Sequence, residues 1–361
     1  MADVPTLSIT LLGAGQEVGR SCCVLQYRDI TIVLDAGVHP AHTGMASLPF
    51  IDELDWSTVD AILITQCASF HVLSREQSLQ HSFSFHLDHA AALTYITEKV
   101  REGLHSTISA QLLVRLDKFQ RGKRQNLHDS SNESASQVYD AGLRSDEVCC
   151  RCMSFFTDTY VVVSSNSSTD ALISPLDLSM SISSIIPVSV HQLITPCPGV
   201  TFTPYHAGHV LGACMYMIDI AGLKVLYTGD YSREEDRHLV KAEIPPVHPD
   251  VLIVESTYGV QSLEGREEKE LRFTNLVHSI IRRGGHVLLP TFALGRAQEL
   301  LLILDEYWKK HPDLHNVPIY YASSLARKCM AVYQTYIHTM NSNIRSRFAR
   351  RDNPFVFKYV S

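Results

Sequence analysis

Residues 85–89, Phe-His-Leu-Asp-His, place two histidines and an aspartate within a very short stretch of chain. His86, Asp88 and His89 stand at positions i, i+2 and i+3, which cannot all lie on one face of a helix. They can converge in a tight strand-to-helix turn. A helix-like run from His89 to Val100 follows them, and Gln66–Ser84 separates them from the predicted strand Asp60–Thr65. Imidazole nitrogen and carboxylate oxygen suit zinc. The alternative is two surface histidines beside the start of a helix.

The first histidine of the metal-binding pattern H-x-H-x-D-H is absent, because Ser84 occupies its place. Two later residues supply further ligand types at the ends of predicted strands: His209 follows Ala207-Gly208, and Asp230 follows Gly229. A lone histidine or a lone strand-end aspartate is usually structural. Their combination in this order is what a two-metal hydrolase site requires, since a carboxylate can bridge two cations that histidines hold from either side.

Two more carboxylates end predicted strands. Asp35 could orient the ligands from behind, although a turn aspartate before Gly37 is an equal alternative. Glu255 ends the apolar run from Val251, where a hydrogen-bonding or capping role is the alternative. Several cations are candidate phosphate contacts, although most such charges are simply solvated. Among them are Arg296, Arg327 and Lys328.

Composition bounds the class of protein. The chain has 361 residues, 45% of them apolar and 19% charged, as in globular proteins. Its net charge of −7 argues against a protein whose whole surface attracts nucleic acid electrostatically. The odd number and scattered spacing of the nine cysteines argue against a disulfide framework and predict a reducing compartment. No leader and no membrane-length apolar run are evident, so we expect a soluble, intracellular protein with no membrane partner.

From about residue 200 onwards, strand and helix patterns alternate, which predicts an α/β domain. The predicted strands are Val200–His206, a hairpin around Ala221-Gly222, Val251–Ser256, His286–Thr291 and Val317–Ala322. The predicted helices are Glu267–Arg283, one that contains residues 297–307, and Leu325–Met340. Earlier in the chain, Thr6–Leu12, Ser21–Tyr27, Thr31–Asp35 and Asp60–Thr65 are predicted strands. Residues 66–84 and about 101–168 interrupt the pattern.

Together these motifs resemble the metallo-β-lactamase superfamily, and specifically its β-CASP nucleases. Four segments narrow the resemblance to the endonucleases that cut pre-mRNA before polyadenylation: Leu12–Cys22, Tyr205–Gly212, Leu226–His238 and Thr291–Glu299. The resemblance covers residues 5–65, 85–99 and about 170–361. It implies a four-layer αβ/βα metallo-β-lactamase domain, here residues 1–259, with a β-CASP α/β domain inserted, here partly present in residues 260–361. The C-terminal return to the first domain is missing.

The resemblance also implies site residues and partners. The matches to its zinc ligands, which hold two zinc ions, are His86, Asp88, His89, His209 and Asp230. Asp88, Asp35 and Glu255 match its catalytic carboxylates, and Arg296, Arg327 and Lys328 are the candidate RNA contacts. The implied reaction is phosphodiester hydrolysis of pre-mRNA by zinc-bound hydroxide, in the nucleus, with other subunits of the cleavage and polyadenylation complex as partners.

Two other functions stay open. The absent ligand at Ser84 favours a catalytically inactive scaffold or fragment of the same complex. A small-ester or thioester hydrolase of the superfamily is a third reading, which the helix–strand run from Glu267 to Met340 disfavours because it matches the nuclease branch.

We hypothesise that residues 66–84 are translated intron. Splicing part of the Gln66 codon to part of the Ser84 codon gives a histidine and keeps the reading frame. It restores Thr-His-Phe-His-Leu-Asp-His. Residues 101–165 could share this origin. The alternative is a genuine insertion in which His71 or His81 supplies the ligand.

Sequencing of the transcript tests this hypothesis. We expect mature messages that lack the segment between these two codons. Messages that all read through it would contradict the hypothesis.

Overall fold

The computed structural model describes residues 5–39, 41–68, 84–85, 92, 95, 188–291, 295–322, 330–331 and 333–360. The chain divides into two compact units, one within residues 1–202 and 219–223, the other within residues 203–218 and 224–361. The domain boundary predicted at residues 259/260 stays a prediction.

The first unit contains a four-stranded sheet with the strand order β1-β2-β3-β4. Its strands are β1 (Leu7–Gly13), β2 (Cys22–Tyr27), β3 (Ile30–Leu34) and β4 (Ala61–Leu63). The first three are antiparallel, and β4 runs parallel to β3. Strands β2 and β3 are almost wholly buried, which explains their continuous apolar sequence. Arg28, at φ +56°, makes the tight turn between them. The predicted strands are confirmed here.

A second sheet has the strand order β11-β10-β9-β8-β7. Its strands are β7 (Ile194–Cys197), β8 (Val200–His206), β9 (Cys214–Ile220), β10 (Leu223–Tyr227) and β11 (Val251–Ile253). Ala221 and Gly222 both have positive φ, as a two-residue hairpin turn requires, so the predicted hairpin is confirmed. A short pair, β5 (Cys67–Ala68) and β6 (Ser84–Phe85), is antiparallel.

Three helices follow: α1 (Arg266–Arg282), α2 (Arg296–Lys310) and α3 (Ser342–Ala349). Helix α1 ends where predicted, because Gly284 takes the left-handed conformation (φ +76°) and its N–H donates to the Ile281 carbonyl at 2.8 Å. Trp308 of α2 is buried against Val277 of α1. None of the helices that the structure describes is both long and apolar enough to cross a membrane.

Two strand predictions are wrong. The described residues contain no partner strand for residues 286–291, and Leu288 is 88% exposed. The segment 317–322 contributes only a single bridge, between Ile319 and Val360. An apolar run gives the side chains a strand needs, but a strand also requires a neighbour to accept and donate its backbone hydrogen bonds. The predicted helix from Leu325 is described only in part, with helical residues at 330–331 and 333–335.

Candidate metal centre

Asp35 lies directly after β3 and is fully buried in the first unit. Its backbone is left-handed (φ +63°), a conformation that aspartate tolerates better than most residues. The carboxylate accepts two bonds from Thr65, one from the backbone N–H at 2.7 Å and one from the hydroxyl, whose oxygen lies 2.9 Å from Oδ2. The Asp35 N–H donates to the Leu63 carbonyl at 2.9 Å. Asp35 therefore fixes the chain where β4 has just ended, which fits the predicted orienting role.

His209 and Asp230 are brought together in the second unit. His209 lies three residues after the end of β8, and Asp230 three residues after the end of β10. The His209 Nε2 and Asp230 Oδ2 atoms are 3.6 Å apart. Both side chains keep partial exposure, 34% and 27%. The two strand ends that the sequence singled out thus place an imidazole nitrogen next to a carboxylate oxygen, within reach of solvent.

This pair fits a divalent metal. Bonds of about 2.0–2.2 Å from a tetrahedral zinc to nitrogen and oxygen place two ligating atoms roughly 3.3 Å apart, close to the observed separation. Val210 and Tyr231, which directly follow His209 and Asp230 in the chain, pack in an apolar cluster with Met215 and Leu226. Apolar surroundings strengthen the attraction between a cation and its ligands. Within the described ranges, no group of three histidine, cysteine or acidic side chains converges. The predicted ligands His86, Asp88 and His89 lie outside the described residues.

Glu255 lies two residues beyond β11, and its carboxylate bonds to the backbone on both sides. One oxygen accepts from the Tyr231 N–H at 3.4 Å, directly after Asp230, and the other accepts from the Thr257 N–H at 3.2 Å. The Glu255 N–H donates to the Thr228 hydroxyl at 3.4 Å. Glu255 therefore holds the chain on both flanks of Asp230. Its predicted catalytic role stays a prediction.

Of the three predicted RNA contacts, only Arg296 is described. It is the first residue of α2, and its guanidinium lies 2.8 Å from Glu299 and 3.5 Å from Asp236. Its charge is thus partly neutralised within the protein, although the side chain is 56% exposed. Arg327 and Lys328 lie outside the described residues.

Gly208 brings the His209 segment against residues 231–242, which we call the 231–242 loop. Its φ is +73°, and a Cβ there would lie 2.5 Å from the Ala242 nitrogen and 2.7 Å from the Ser232 oxygen. The Ser232 N–H donates to the Ala207 carbonyl at 2.8 Å. Only glycine allows this approach of two backbones. The loop that leaves Asp230 therefore packs directly on the residues before His209.

His238 lies in the same loop and is buried between aromatic rings. Its ring centroid is 5.5 Å from that of Tyr333 and 6.1 Å from that of Phe355. Among the described residues neither ring nitrogen makes a hydrogen bond, although Nδ1 lies 3.4 Å from Asp236 Oδ1. Burial lowers the pKa of His238 to about 4, Glu299 opposes this shift, and Arg296 and Arg266 add to it. The imidazole is therefore neutral at physiological pH.

Thr65 is the site residue that the sequence did not reveal. It is buried and binds Asp35, 30 residues away in the chain. A signal was available, since Thr65 is the polar end of an otherwise apolar run. Its partner could not be read from the sequence, because sequence patterns show periodicity and not contacts between distant residues.

Two protein families match the chain. Residues 152–252 match the metallo-beta-lactamase superfamily domain, and residues 297–361 match the Beta-Casp domain. The predicted superfamily and fold class are thereby confirmed. The family is metal-dependent, as its name states. The metallo-beta-lactamase match begins at residue 152, inside the segment of about 101–168 that interrupts the predicted pattern of strands and helices.

Three relatives align with almost the whole chain. Endoribonuclease YSH1 of Mycosarcoma maydis is 56% identical over 98% of this chain and 34% of that protein. Endoribonuclease ysh1 of Schizosaccharomyces pombe is 50% identical over 97% of this chain and 39% of that protein. Cleavage and polyadenylation specificity factor subunit 3-I of Arabidopsis thaliana is 47% identical over 99% of this chain and 44% of that protein. The chain thus spans less than half the length of these curated relatives.

Replacing Gly208 with alanine tests the close approach of the two backbones. We expect Gly208→Ala to lower the free energy of unfolding by about 2–6 kcal/mol, because left-handed strain and steric overlap each cost about 1–3 kcal/mol. Gly212→Ala is the matched control: Gly212 also has positive φ (+86°), but a Cβ there meets nothing within 4 Å. Its cost should be only the strain. Urea denaturation measures both, and equal losses would show that the loop does not constrain position 208.

The buried His238 predicts a pH dependence of stability. Its pKa is about 4 in the folded state and 6.5 as the ordinary value. Between these pH values the unfolded chain binds a proton that the folded chain does not, so stability falls as pH decreases through this window. The contribution reaches about 3 kcal/mol at most. Urea unfolding at pH 4.5 and pH 7 should show a smaller difference for His238→Leu than for the parent. An unchanged difference would mean that other groups carry the effect.

Proposed function

We propose that this chain, a member of the metallo-β-lactamase superfamily that carries a β-CASP domain, acts as a zinc-dependent endoribonuclease that cuts pre-mRNA at the 3′ end before polyadenylation. The observation that carries the proposal is the pairing of His209 with Asp230, 3.6 Å apart and open to solvent. The names of the relatives support the reaction and the substrate, since two are endoribonucleases and the third is a cleavage and polyadenylation factor subunit.

Two zinc ions would be held by His86, Asp88, His89, His209 and Asp230. When bound, such ions lower the pKa of a coordinated water towards neutrality and offset the negative charge of a phosphodiester. The protein's own part is to hold its ligands in place. Asp35 fixes Thr65, and Glu255 fixes the backbone on either side of Asp230. Asp88 is the ligand able to act on a proton of the attacking water.

The RNA would need local cations, because the net charge of the chain is −7. Arg296, Arg327 and Lys328 are the proposed contacts. Recognition of the cleavage signal is assigned to other subunits of the cleavage and polyadenylation complex, with which the protein would act in the nucleus.

A second function has a specific observation in its favour. Ser84 stands where the ligand pattern needs a histidine, and the loss of one ligand weakens a metal site severely. The chain as written would then be an inactive scaffold or fragment of the same complex.

Zinc content and RNA cleavage separate the two functions. The 361-residue chain is compared with a repaired form in which a single histidine replaces residues 66–84. We expect the repaired form to gain one or two zinc ions per chain and to cut single-stranded RNA, leaving a 3′-hydroxyl on the upstream product. The original chain should do neither well.

Asp230→Asn in the repaired form should lower cleavage by at least about 100-fold, because it removes a charged ligand. Asp250→Asn is the matched control, since Asp250 is exposed and, among the described residues, its carboxylate accepts only from the Lys224 N–H (2.8 Å). Full cleavage by Asp230→Asn would refute the nuclease assignment. Absence of zinc from both forms would favour the scaffold.

A further inference from the structure

The 231–242 loop is bonded to both strand ends that carry the described ligands. It begins directly after Asp230. The Ser232 N–H donates to the Ala207 carbonyl, and beyond the loop the Glu243 N–H donates to the His206 carbonyl at 3.0 Å. The Ala242 N–H donates to the Ser232 carbonyl at 2.7 Å, which closes the loop on itself. His209 and Asp230 therefore project from one hydrogen-bonded piece of backbone.

The far end of this loop, residues 235–239, is held by charged side chains of two helices. Arg237 pairs with Glu270 of α1 and with Glu306 of α2, so one guanidinium joins the loop to both helices. Arg266 of α1 donates to the Glu235 carbonyl. These side chains are about one quarter to one third exposed. Such partial burial strengthens an ion pair relative to one on the open surface.

Asn341 holds the same turn from a third helix. Its backbone N–H donates to the His238 carbonyl at 2.9 Å, and its side-chain amide donates to the Asp236 carbonyl at 2.9 Å. Its side-chain oxygen accepts from the Ile344 N–H at 3.0 Å and so caps the start of α3. The residue is 4% exposed, so none of these groups has water as a substitute partner.

We propose that Arg237 and Asn341 are positioning residues for the metal centre: they clamp the 231–242 loop to helices α1, α2 and α3, and thereby fix the backbone from which His209 and Asp230 project. The contacts described for these two residues are with the loop and the helices. The two residues act through the loop, whose contacts at Gly208, Ala207 and His206 leave little room for independent movement. The inference deepens the proposed function and rests on it for the identity of the site. The existence of the clamp does not depend on the proposed function, because it follows from the contacts of Arg237 and Asn341.

Two variants test the clamp, and one serves as a control. Arg237→Gln removes the guanidinium that joins the loop to Glu270 and Glu306. Asn341→Asp keeps the oxygen that caps α3 and the backbone N–H, but loses the side-chain donor to Asp236. Arg347→Gln is the matched control, because Arg347 also pairs with Glu306 (3.3 Å) yet has no described contact with the loop.

The first readout is amide hydrogen exchange in the 361-residue chain without metal. Exchange in segments 206–209 and 228–232 should become at least about fivefold faster in Arg237→Gln and Asn341→Asp, and stay within about twofold in Arg347→Gln. The second readout is Zn²⁺ affinity by competition with a chromogenic chelator, in the same chain and in the form with residues 66–84 replaced by histidine. The Zn²⁺ affinity should fall at least about tenfold in Arg237→Gln and Asn341→Asp, but not in Arg347→Gln.

Hydrogen exchange and zinc affinity test different parts of the proposal. Unchanged exchange in both clamp variants overturns the clamp, whatever the zinc data show. Faster exchange with unchanged zinc affinity overturns the positioning role. If neither parent form binds zinc, the proposed function fails, and exchange still decides whether the clamp exists. Should Arg237→Gln not fold, as circular dichroism would show, Asn341→Asp alone decides.

Discussion

The close approach of two backbones at Gly208 is the constraint on which the candidate site depends. A chain segment ending in His209 and a loop beginning after Asp230 come near enough that a single added carbon would lie 2.5 Å from a backbone nitrogen. Side chains that start from such closely packed backbones have few alternative positions. Main-chain packing therefore fixes the two places from which the side chains of His209 and Asp230 start.

In the second unit, the described arginine side chains mainly form ion pairs within the protein. Arg237, Arg266 and Arg296 each meet at least one carboxylate, although the chain as a whole carries a net charge of −7. Asp236 is enclosed enough that burial raises its pKa, while the amides of Leu239 and His238 and the nearby arginines oppose the shift. A cation already balanced in this way attracts a phosphate less strongly than an unpaired one. Contacts with an RNA backbone would thus have to come from arginines and lysines other than the clamp residues.

The sequence predicted local structure well where local signals were strong. The hairpin around Ala221-Gly222 and the end of α1 at Gly284 follow from the conformational freedom of glycine, which acts within a few residues. The strand ends at Asp35, His209 and Asp230 were also predictable, because each follows a predicted strand. The failures share one cause. Whether residues 286–291 form a strand depends on a neighbour, and which residue binds Asp35 depends on a contact across 30 positions. The periodicity of a sequence reveals neither a neighbouring strand nor a contact between distant residues.

Residues 66–84 begin directly after a firmly held part of the chain, and this affects how the serine at position 84 is interpreted. Strand β4 pairs with β3, Thr65 is held by Asp35 through its N–H and hydroxyl, and Gln66 is 1% exposed. The chain is therefore anchored up to the residue at which the predicted insert begins. A histidine placed directly after Thr65 would follow a residue that two hydrogen bonds already fix, so the predicted loss of the first ligand would be a local defect. A ligand delivered from within a long insertion, such as His71 or His81, would have to offset the entropy of ordering that segment.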